Sequence, residues 1–183
     1  MALDSQSETS ITTLEIGHAT SVLVGKPLWQ CHRAADMAMF QFGRQRKIQN
    51  DRGEWREVGD VALHVQCRWR VLRQGLIVIG SSDLYYPADF QVSGKVPEGF
   101  DWDKDNNLRD KLLDNLFSGN TREFLVRSIS VGQAGSLQIL LSGDLSLELF
   151  PDDSLTGEHW RLFTPGGEGS HFVVSGSNTR TDL

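Results

Sequence analysis

The chain has 183 residues, a formal net charge of −6, 39% apolar residues and 23% charged residues. This length and composition fit one globular domain and exclude a disordered chain. The acidic balance argues against nucleic acid and against anionic membrane surfaces as partners, because both attract basic proteins.

The sequence carries no recognisable targeting segment. Its beginning, MALDSQSETS, lacks a basic stretch followed by an apolar one, and no run of about eighteen apolar residues occurs. These patterns predict neither a signal peptide nor a transmembrane helix, and we expect a cytoplasmic protein. Cys31 and Cys67 are then expected to be reduced.

The first part of the chain is predicted to be extended. Residues 1–9 are polar and expected to be disordered, and the β-branched residues of 11–24 indicate one bent strand or two short strands. A connection with some extended structure, over 25–36, leads to a strand at 37–48. The sequence NDRG at 50–53 then predicts a turn.

A first meander is predicted next. Residues 55–72 are expected to form one strand, and Gln74 and Gly75 close a tight hairpin onto a strand at 76–82. Together with the strand at 37–48, these would make three antiparallel strands.

The period of the apolar residues changes after a long loop over 83–100. Leu108, Leu112 and Leu116 recur every four residues, which is the stripe of an amphipathic helix. Acidic residues precede this stripe and a glycine follows it, as helix ends favour. We predict a helix at 103–118 whose leucines cover a sheet.

A second meander is predicted after the helix. Its strands, 122–131, 136–142 and 145–150, alternate leucine or isoleucine with polar residues, as half-buried antiparallel strands do. Two final strands are expected at 158–163 and 171–174.

These elements predict a single α+β domain over residues 10–176, which is mostly antiparallel β. The two meanders would form a sandwich or a partly open barrel, with one amphipathic helix packed on it. Residues 177–183 are expected to be a loose tail. An exposed edge strand of such a sheet would allow two copies to pair as a homodimer.

Alternation between the two faces of a strand sorts the segment ALHVQCRWRV, residues 62–71. Cys67 falls among aliphatic residues and a tryptophan, so we expect a buried and unreactive thiol. The opposite face carries a polar row of His64, Gln66, Arg68 and Arg70. The row is either a solvated sheet face with acidic neighbours or an anion-binding groove, since two aligned arginines offer paired donors to carboxylate or phosphate.

A zinc site would require Cys31 and His32 to meet His64 and Cys67 across a sheet. The usual spacing of zinc ligands is absent, and alternation sends His64 and Cys67 to opposite faces. We therefore expect no metal and no other cofactor.

Asp101, Asp103 and Asp105 have the spacing of a calcium-binding loop. The glycine and the glutamate that complete an EF-hand loop are replaced by Asn106 and Leu112. Capping of the following helix is the alternative role of these acids, and the sequence leaves both roles open.

Familiar catalytic motifs are absent, because the sequence has no nucleophile elbow, no HExxH and no phosphate-binding glycine loop. A histidine base is the remaining enzymatic alternative, with His64, His159 or His171 in that role. Such an enzyme would be a hydrolase or a lyase.

The stretches RAADMAMFQFG, ALHVQCRWR and EHWRLF…HFVV occur in this order. They resemble an uncharacterised family of bacterial proteins, and the resemblance covers most of residues 25–175. It implies a bacterial, cytosolic source. It implies no catalytic residue.

Without a catalytic motif, the sequence favours a non-enzymatic binding protein. Its ligand would be a protein partner, as for immunity proteins, or a small acidic molecule. We expect the binding site at the polar row.

Overall fold

A computed structural model describes residues 12–49, 52–118, 124–167, 169 and 171–176. The predicted disordered start at 1–9 and the predicted tail at 177–183 lie outside these residues, as do residues 50 and 51 of the predicted turn. No helix in the described part of the chain combines the length and apolar character needed to cross a bilayer.

The described residues form twelve strands and three short α-helices. The strands are β1 (Pro27–Ala34), β2 (Met37–Phe42), β3 (Arg46–Gln49), β4 (Trp55–Val58), β5 (Val61–Val65), β6 (Arg68–Arg73), β7 (Leu76–Gly80), β8 (Phe124–Val131), β9 (Leu137–Leu141), β10 (Leu145–Phe150), β11 (Glu158–Phe163) and β12 (Phe172–Ser175). The helices are α1 (Thr13–Thr20), α2 (Phe90–Ser93) and α3 (Leu108–Phe117).

Ten of the strands form one antiparallel sheet in the order β12-β11-β5-β2-β1-β8-β9-β10-β6-β7. The order is linear within the described residues, so β7 and β12 are edges and the sheet is not a closed barrel. Strands β3 and β4 form a separate hairpin. The predicted fold class, a mostly antiparallel α+β domain, is confirmed.

The ten-stranded sheet folds back on itself around the core. Phe40 on β2 and Trp69 on β6 are five places apart in the strand order, yet their rings meet edge to face with centroids 5.2 Å apart. Both side chains are buried in a cluster that draws on both halves of the sheet. The inner face of the sheet is therefore apolar.

The second meander is confirmed, because β8, β9 and β10 are neighbours in sequence order. The predictions of one strand over 37–48 and of one strand over 55–72 are wrong. The first segment forms β2 and β3, and the second forms β4, β5 and β6. The amide groups of Gln66 and Cys67 both donate to the carbonyl oxygen of His159, at 2.8 and 3.1 Å. These bonds mark the point at which the chain passes from one half of the folded sheet to the other, so β5 and β6 pair with different strands.

The prediction of extended structure over 11–24 is also wrong, because residues 13–20 form α1. Thr12 caps this helix: its Oγ1 accepts from the amide of Glu15 at 3.2 Å, and Glu15 Oε2 accepts from the amide of Thr12 at 2.8 Å. This reciprocal capping box outweighs the β-branched character of the segment. Ile16 and Thr20 are buried against the sheet.

Helix α3 begins five residues later than predicted. Asp101 accepts from the amide of Asp103 at 3.1 Å, and Asp105 accepts from the amide of Asp101 at 2.9 Å, which holds this segment in turns. Asn107 then caps the helix by accepting from the amide of Asp110 at 2.9 Å.

The apolar stripe of α3 covers the core, as predicted. Leu108, Leu113 and Leu116 are buried, and Leu112 and Phe117 are half-buried. Leu113 and Leu116 belong to the main core cluster. The helix packs over β1 and β7.

Candidate functional site

The residues of the predicted polar row lie on two strands and on the connection between them. His64 lies on β5, Arg68 and Arg70 lie on β6, and Gln66 lies at the crossing between the two strands. All four side chains are exposed or half-buried, and the residues between them are buried. Buried and exposed side chains therefore continue to alternate from β5 to β6, although the two strands are separate.

Each donor at the β6 end of the row has an acidic neighbour. The pairs are Gln66 Nε2 with Glu158 Oε1 at 3.0 Å, Arg68 Nε with Asp152 Oδ2 at 3.4 Å, and Arg70 Nε with Glu148 Oε2 at 2.7 Å. The Arg70 pair is short and a carboxylate already satisfies it, whereas the Arg68 pair is long. Anion binding along the whole row stays a prediction.

A polar pocket of about 200 Å³ opens beside this crossing. We call it the arginine pocket, and its walls include Asp36, Gln66, Arg68, Ser81, Arg109 and Asp152. Two members of the polar row therefore face the same space as a residue of α3. Asp153 adds a further acidic group to the wall.

Arg109 is the unusual residue of the arginine pocket, because its side chain is 1% exposed. Nη1 donates to the carbonyl oxygen of Asp36 at 2.9 Å. Nε and Nη2 are buried and have no hydrogen-bond partner among the described residues. Buried arginine groups are normally paired, so Arg109, which also lines the pocket, is unusual in having two donors without an acceptor.

The nearest acid does not neutralise Arg109 fully. Asp110 Oδ1 lies 3.8 Å from Arg109 Nε, while Asp110 Oδ2 receives a bond from Arg33 Nε at 2.7 Å. Burial lowers the pKa of Arg109, and the Asp110 charge opposes that shift. The guanidinium thus keeps its charge, and its Nε and Nη2 have no hydrogen-bond acceptor among the described residues.

Sequence reasoning missed Arg109, although a signal for it exists. Arg109, Leu113 and Leu116 follow the i, i+4, i+7 spacing of one helix face. An arginine on the buried face of an amphipathic helix is rare unless its charge is paired with an acidic group or a ligand.

Cys67 also borders the arginine pocket, but its thiol is buried. Burial raises its pKa to about 12, and the nearby Asp152 carboxylate contributes to the rise. Burial likewise raises the pKa of Cys31 to about 12. Both thiols are therefore protonated at neutral pH and unreactive, as predicted for Cys67.

A second pocket of about 220 Å³ lies on the outer face near His64. Cross-strand pairing places His32 of β1 opposite Met39 of β2, and Met39 opposite His64 of β5. We call the space above these residues the histidine pocket, and its other walls include Val58, Ala62, Phe163 and Pro165. Its lining is mainly apolar.

The imidazoles of the histidine pocket are uncharged at neutral pH. Burial, together with the charges of Arg161, His171 and Arg56, lowers the pKa of His64 to about 4. Burial also lowers the pKa of His32, opposed by the charge of Glu57. The two pockets therefore differ: charged side chains line the arginine pocket, whereas the imidazoles of the histidine pocket are uncharged.

The zinc alternative fails on geometry. Cys31 and Cys67 belong to the buried core cluster, whereas His32 and His64 lie on the outer face. No three histidine, cysteine, aspartate or glutamate side chains of the described residues come together in a way that could hold a metal ion.

The three histidines considered as bases do not share a pocket. His159 is buried, and its Nε2 lies 3.2 Å from the carbonyl oxygen of Asp153. His171 stacks on Phe163, with centroids 4.4 Å apart, and His64 meets the same ring edge to face at 4.7 Å. Of the three, His64 alone lines the histidine pocket.

Comparison with known proteins identified no relative of this chain. The chain matches no family model, no curated protein and no solved structure. The resemblance to an uncharacterised bacterial family therefore stays a prediction.

Proposed function

We propose that this protein binds a small carboxylate-bearing molecule in the arginine pocket, without catalysing its conversion. The observation that carries the proposal is the buried guanidinium of Arg109, which has two unpartnered donors and faces a polar space. A carboxylate supplies two oxygens in one plane, which matches the planar fork of donors on arginine.

Arg68, which also lines the arginine pocket, supports the same ligand. Its Nη1 donates to Ser82 Oγ at 2.9 Å, and its pair with Asp152 is 3.4 Å long. A ligand carboxylate would take over part of that loose pair. Ser81 adds a hydroxyl group to the wall, and hydroxyl groups both donate and accept.

The acidic groups of the pocket restrict the charge of the ligand. Asp36, Asp152 and Asp153 would repel a multiply charged anion such as phosphate. A singly charged carboxylate with hydroxyl or amino groups fits better, because those groups can donate to the acids. The volume of about 200 Å³ lies below the roughly 300–1,000 Å³ of drug-sized sites, so the ligand is compact.

A cytoplasmic location belongs to this proposal. Cys31 and Cys67 are both free and both buried in the core. Free thiols are typical of proteins in reducing compartments.

The test is calorimetric titration of the purified protein with acetate, glycolate, glycine and orthophosphate. We expect glycolate or glycine to bind more tightly than orthophosphate. Arg109→Lys keeps the charge but removes the fork, and we expect about tenfold weaker binding or more, since one lost charged hydrogen bond corresponds to roughly that factor. Arg68→Ala should weaken binding similarly.

Arg73→Ala is the matched control, because Arg73 lies on the same strand as Arg68 but outside the arginine pocket. Its affinity should equal that of the unaltered protein. Equal binding by the Arg109→Lys and Arg68→Ala variants, or no binding by any of the three carboxylates, would remove the proposed site.

A further inference from the structure

The histidine pocket is a second site, independent of the arginine pocket. Its floor is the row of His32, Met39 and His64 on three neighbouring strands. Val58, from the β3–β4 hairpin, and Phe163, at the end of β11, form its sides. This apolar surround with embedded ring nitrogens is the usual composition of a small-molecule site.

Hydrogen bonds hold the base of the hairpin that walls the pocket. Arg46 donates to the carbonyl oxygen of Pro165, and the amide of Arg44 donates to Asp60 Oδ2 at 3.0 Å. Gly59 donates from its amide to Gln41 Oε1 at 2.9 Å. The walls are therefore held in place by the fold, and the pocket is preformed.

Arg161 sets the tautomer of His64. Its Nη2 lies 3.5 Å from His64 Nδ1, and a guanidinium can only donate. In this contact Nδ1 acts as the acceptor, which favours the tautomer with the imidazole proton on Nε2. His64 offers this single N–H as the donor on its remaining ring edge.

From this geometry we infer that the histidine pocket binds an uncharged, planar small molecule that presents a hydrogen-bond acceptor to Nε2 of His64. The acceptor is a carbonyl oxygen or an aromatic ring nitrogen. The planar body lies against Met39 and Phe163, both of which line the pocket.

The apolar surround disfavours ions at this site. Any ion would exchange water for two uncharged imidazoles, and the charge of Arg161 is already paired with Glu158 at 3.4 Å. Arg56 and Glu57 stand together in the wall and have opposite charges, so they create no net attraction for either sign.

The ring arrangement and the volume restrict the shape of the ligand. His171 covers one face of Phe163, and His64 meets the same ring at an interplanar angle of 90°. A volume of about 220 Å³ is below the roughly 300 Å³ lower end of drug-sized sites, so one ring with a short substituent fills it.

Three matched probes test the inference: benzamide, benzoate and toluene. They share a planar ring, but benzamide is neutral with an acceptor, benzoate is charged, and toluene has no acceptor. We expect saturable shifts of the amide NMR signals of Ala62 and His64 with benzamide. Benzoate and toluene should bind about tenfold more weakly or worse, because each lacks one required feature.

Variants separate the site from nonspecific binding. His64→Phe keeps a ring but removes the donor and should weaken benzamide binding about tenfold, whereas His64→Gln keeps a donor and should retain part of the affinity. Ala62→Leu should fill the pocket and abolish binding. His18→Phe, on the exposed side of α1, is the matched control and should bind benzamide normally.

Three outcomes would overturn the inference. These are equal binding of the three probes, benzamide binding that survives both Ala62→Leu and His64→Phe, and no saturable binding of benzamide up to its solubility. The His64→Phe and His64→Gln pair keeps the test decisive if the Ala62→Leu variant does not fold.

Discussion

Arg109 Nη1 donates to the carbonyl oxygen of Asp36 at 2.9 Å, and this bond ties α3 to the turn between β1 and β2. The acceptor is neutral, so the bond fixes the position of the guanidinium without cancelling its charge. A buried charge that is held but not neutralised costs stability. On the proposed function, a ligand carboxylate would supply the missing neutralising charge.

The Arg109→Met variant tests whether Arg109 serves ligand binding or the stability of the fold. Methionine keeps much of the arginine volume and removes the buried charge, so we expect the free energy of unfolding to change by less than about 1 kcal/mol. Binding of carboxylates should be lost. Urea unfolding and calorimetry measure the two effects.

Arg109→Ala gives the contrast, because it leaves a cavity and should destabilise the protein by about 2–4 kcal/mol. If Arg109→Met instead costs more than about 3 kcal/mol, the charge is paired within the fold and Arg109 is structural.

The two buried thiols predict a loss of stability at alkaline pH. The pKa of each thiol rises from 9.0 to about 12 in the folded protein, so the unfolded chain loses these protons first. The contribution of the thiols to the free energy of unfolding is fully present below pH 9 and is lost as the pH rises from 9 toward 12. Each thiol contributes up to about 1.4 kcal/mol per pH unit.

Urea unfolding between pH 8 and pH 10.5 measures this slope. A Cys31→Ala, Cys67→Ala double variant should show a shallower slope, because tyrosine and lysine titration are common to both proteins. Identical slopes would mean that at least part of the thiol population is already ionised in the folded state.

Local sequence patterns indicate which face of a strand each side chain occupies, but they do not indicate the order in which the strands pair. The alternation over 61–71 correctly separates the buried Cys67 from the outer His64, since alternation depends on the backbone of the segment itself. It gives no sign that the chain crosses between halves of the sheet at Gln66. That crossing requires the carbonyl oxygen of His159, which is remote in sequence.

The candidate sites were harder to predict for the same reason. Gln66 and Arg68 were identified from the strand pattern, but the pocket that they border is completed by Arg109 of α3. The row of His32, Met39 and His64 exists because β2 pairs with both β1 and β5. Pairing between distant strands has no local signal, whereas the capping box at Thr12 had one that β-branched propensity obscured.

The low pKa of His64 predicts a loss of stability on the acid side. The folded-state pKa of about 4 lies below the ordinary 6.5, so the unfolded chain takes up this proton first as the pH falls. The contribution is full above pH 6.5 and is lost between pH 6.5 and 4. It is less than about 1.4 kcal/mol per pH unit, because the ring is half-buried and partly screened.

The groups around this imidazole are Arg161, His171, Arg56, His32 and Glu57. Urea unfolding from pH 4.5 to 7.5 should therefore give a steeper dependence for the unaltered protein than for His64→Phe. NMR titration of the imidazole signals provides a direct check. A midpoint for His64 near 6.5 would show that water reaches the ring freely, and it would contradict the neutral character of the histidine pocket.

Gly59 couples the stability of the fold to the histidine pocket. A Cβ atom at this position would lie 2.3 Å from the carbonyl oxygen and 2.7 Å from the amide nitrogen of Phe42, which are backbone atoms and cannot move aside as a side chain does. Gly59→Ala should therefore push the end of β4 away from β2 and destabilise the protein by about 2–4 kcal/mol.

Gly157→Ala is the control for Gly59→Ala, since nothing lies within 4 Å of its added Cβ and its stability should hardly change. The displaced β4 carries Val58, a wall of the histidine pocket, so Gly59→Ala should also weaken benzamide binding in the fraction that remains folded. The arginine pocket lies on other elements, and its affinity for carboxylates should stay the same. Loss of both benzamide binding and carboxylate binding would indicate general unfolding. Loss of benzamide binding alone would show that the close approach of Gly59 to Phe42 maintains the geometry of the histidine pocket.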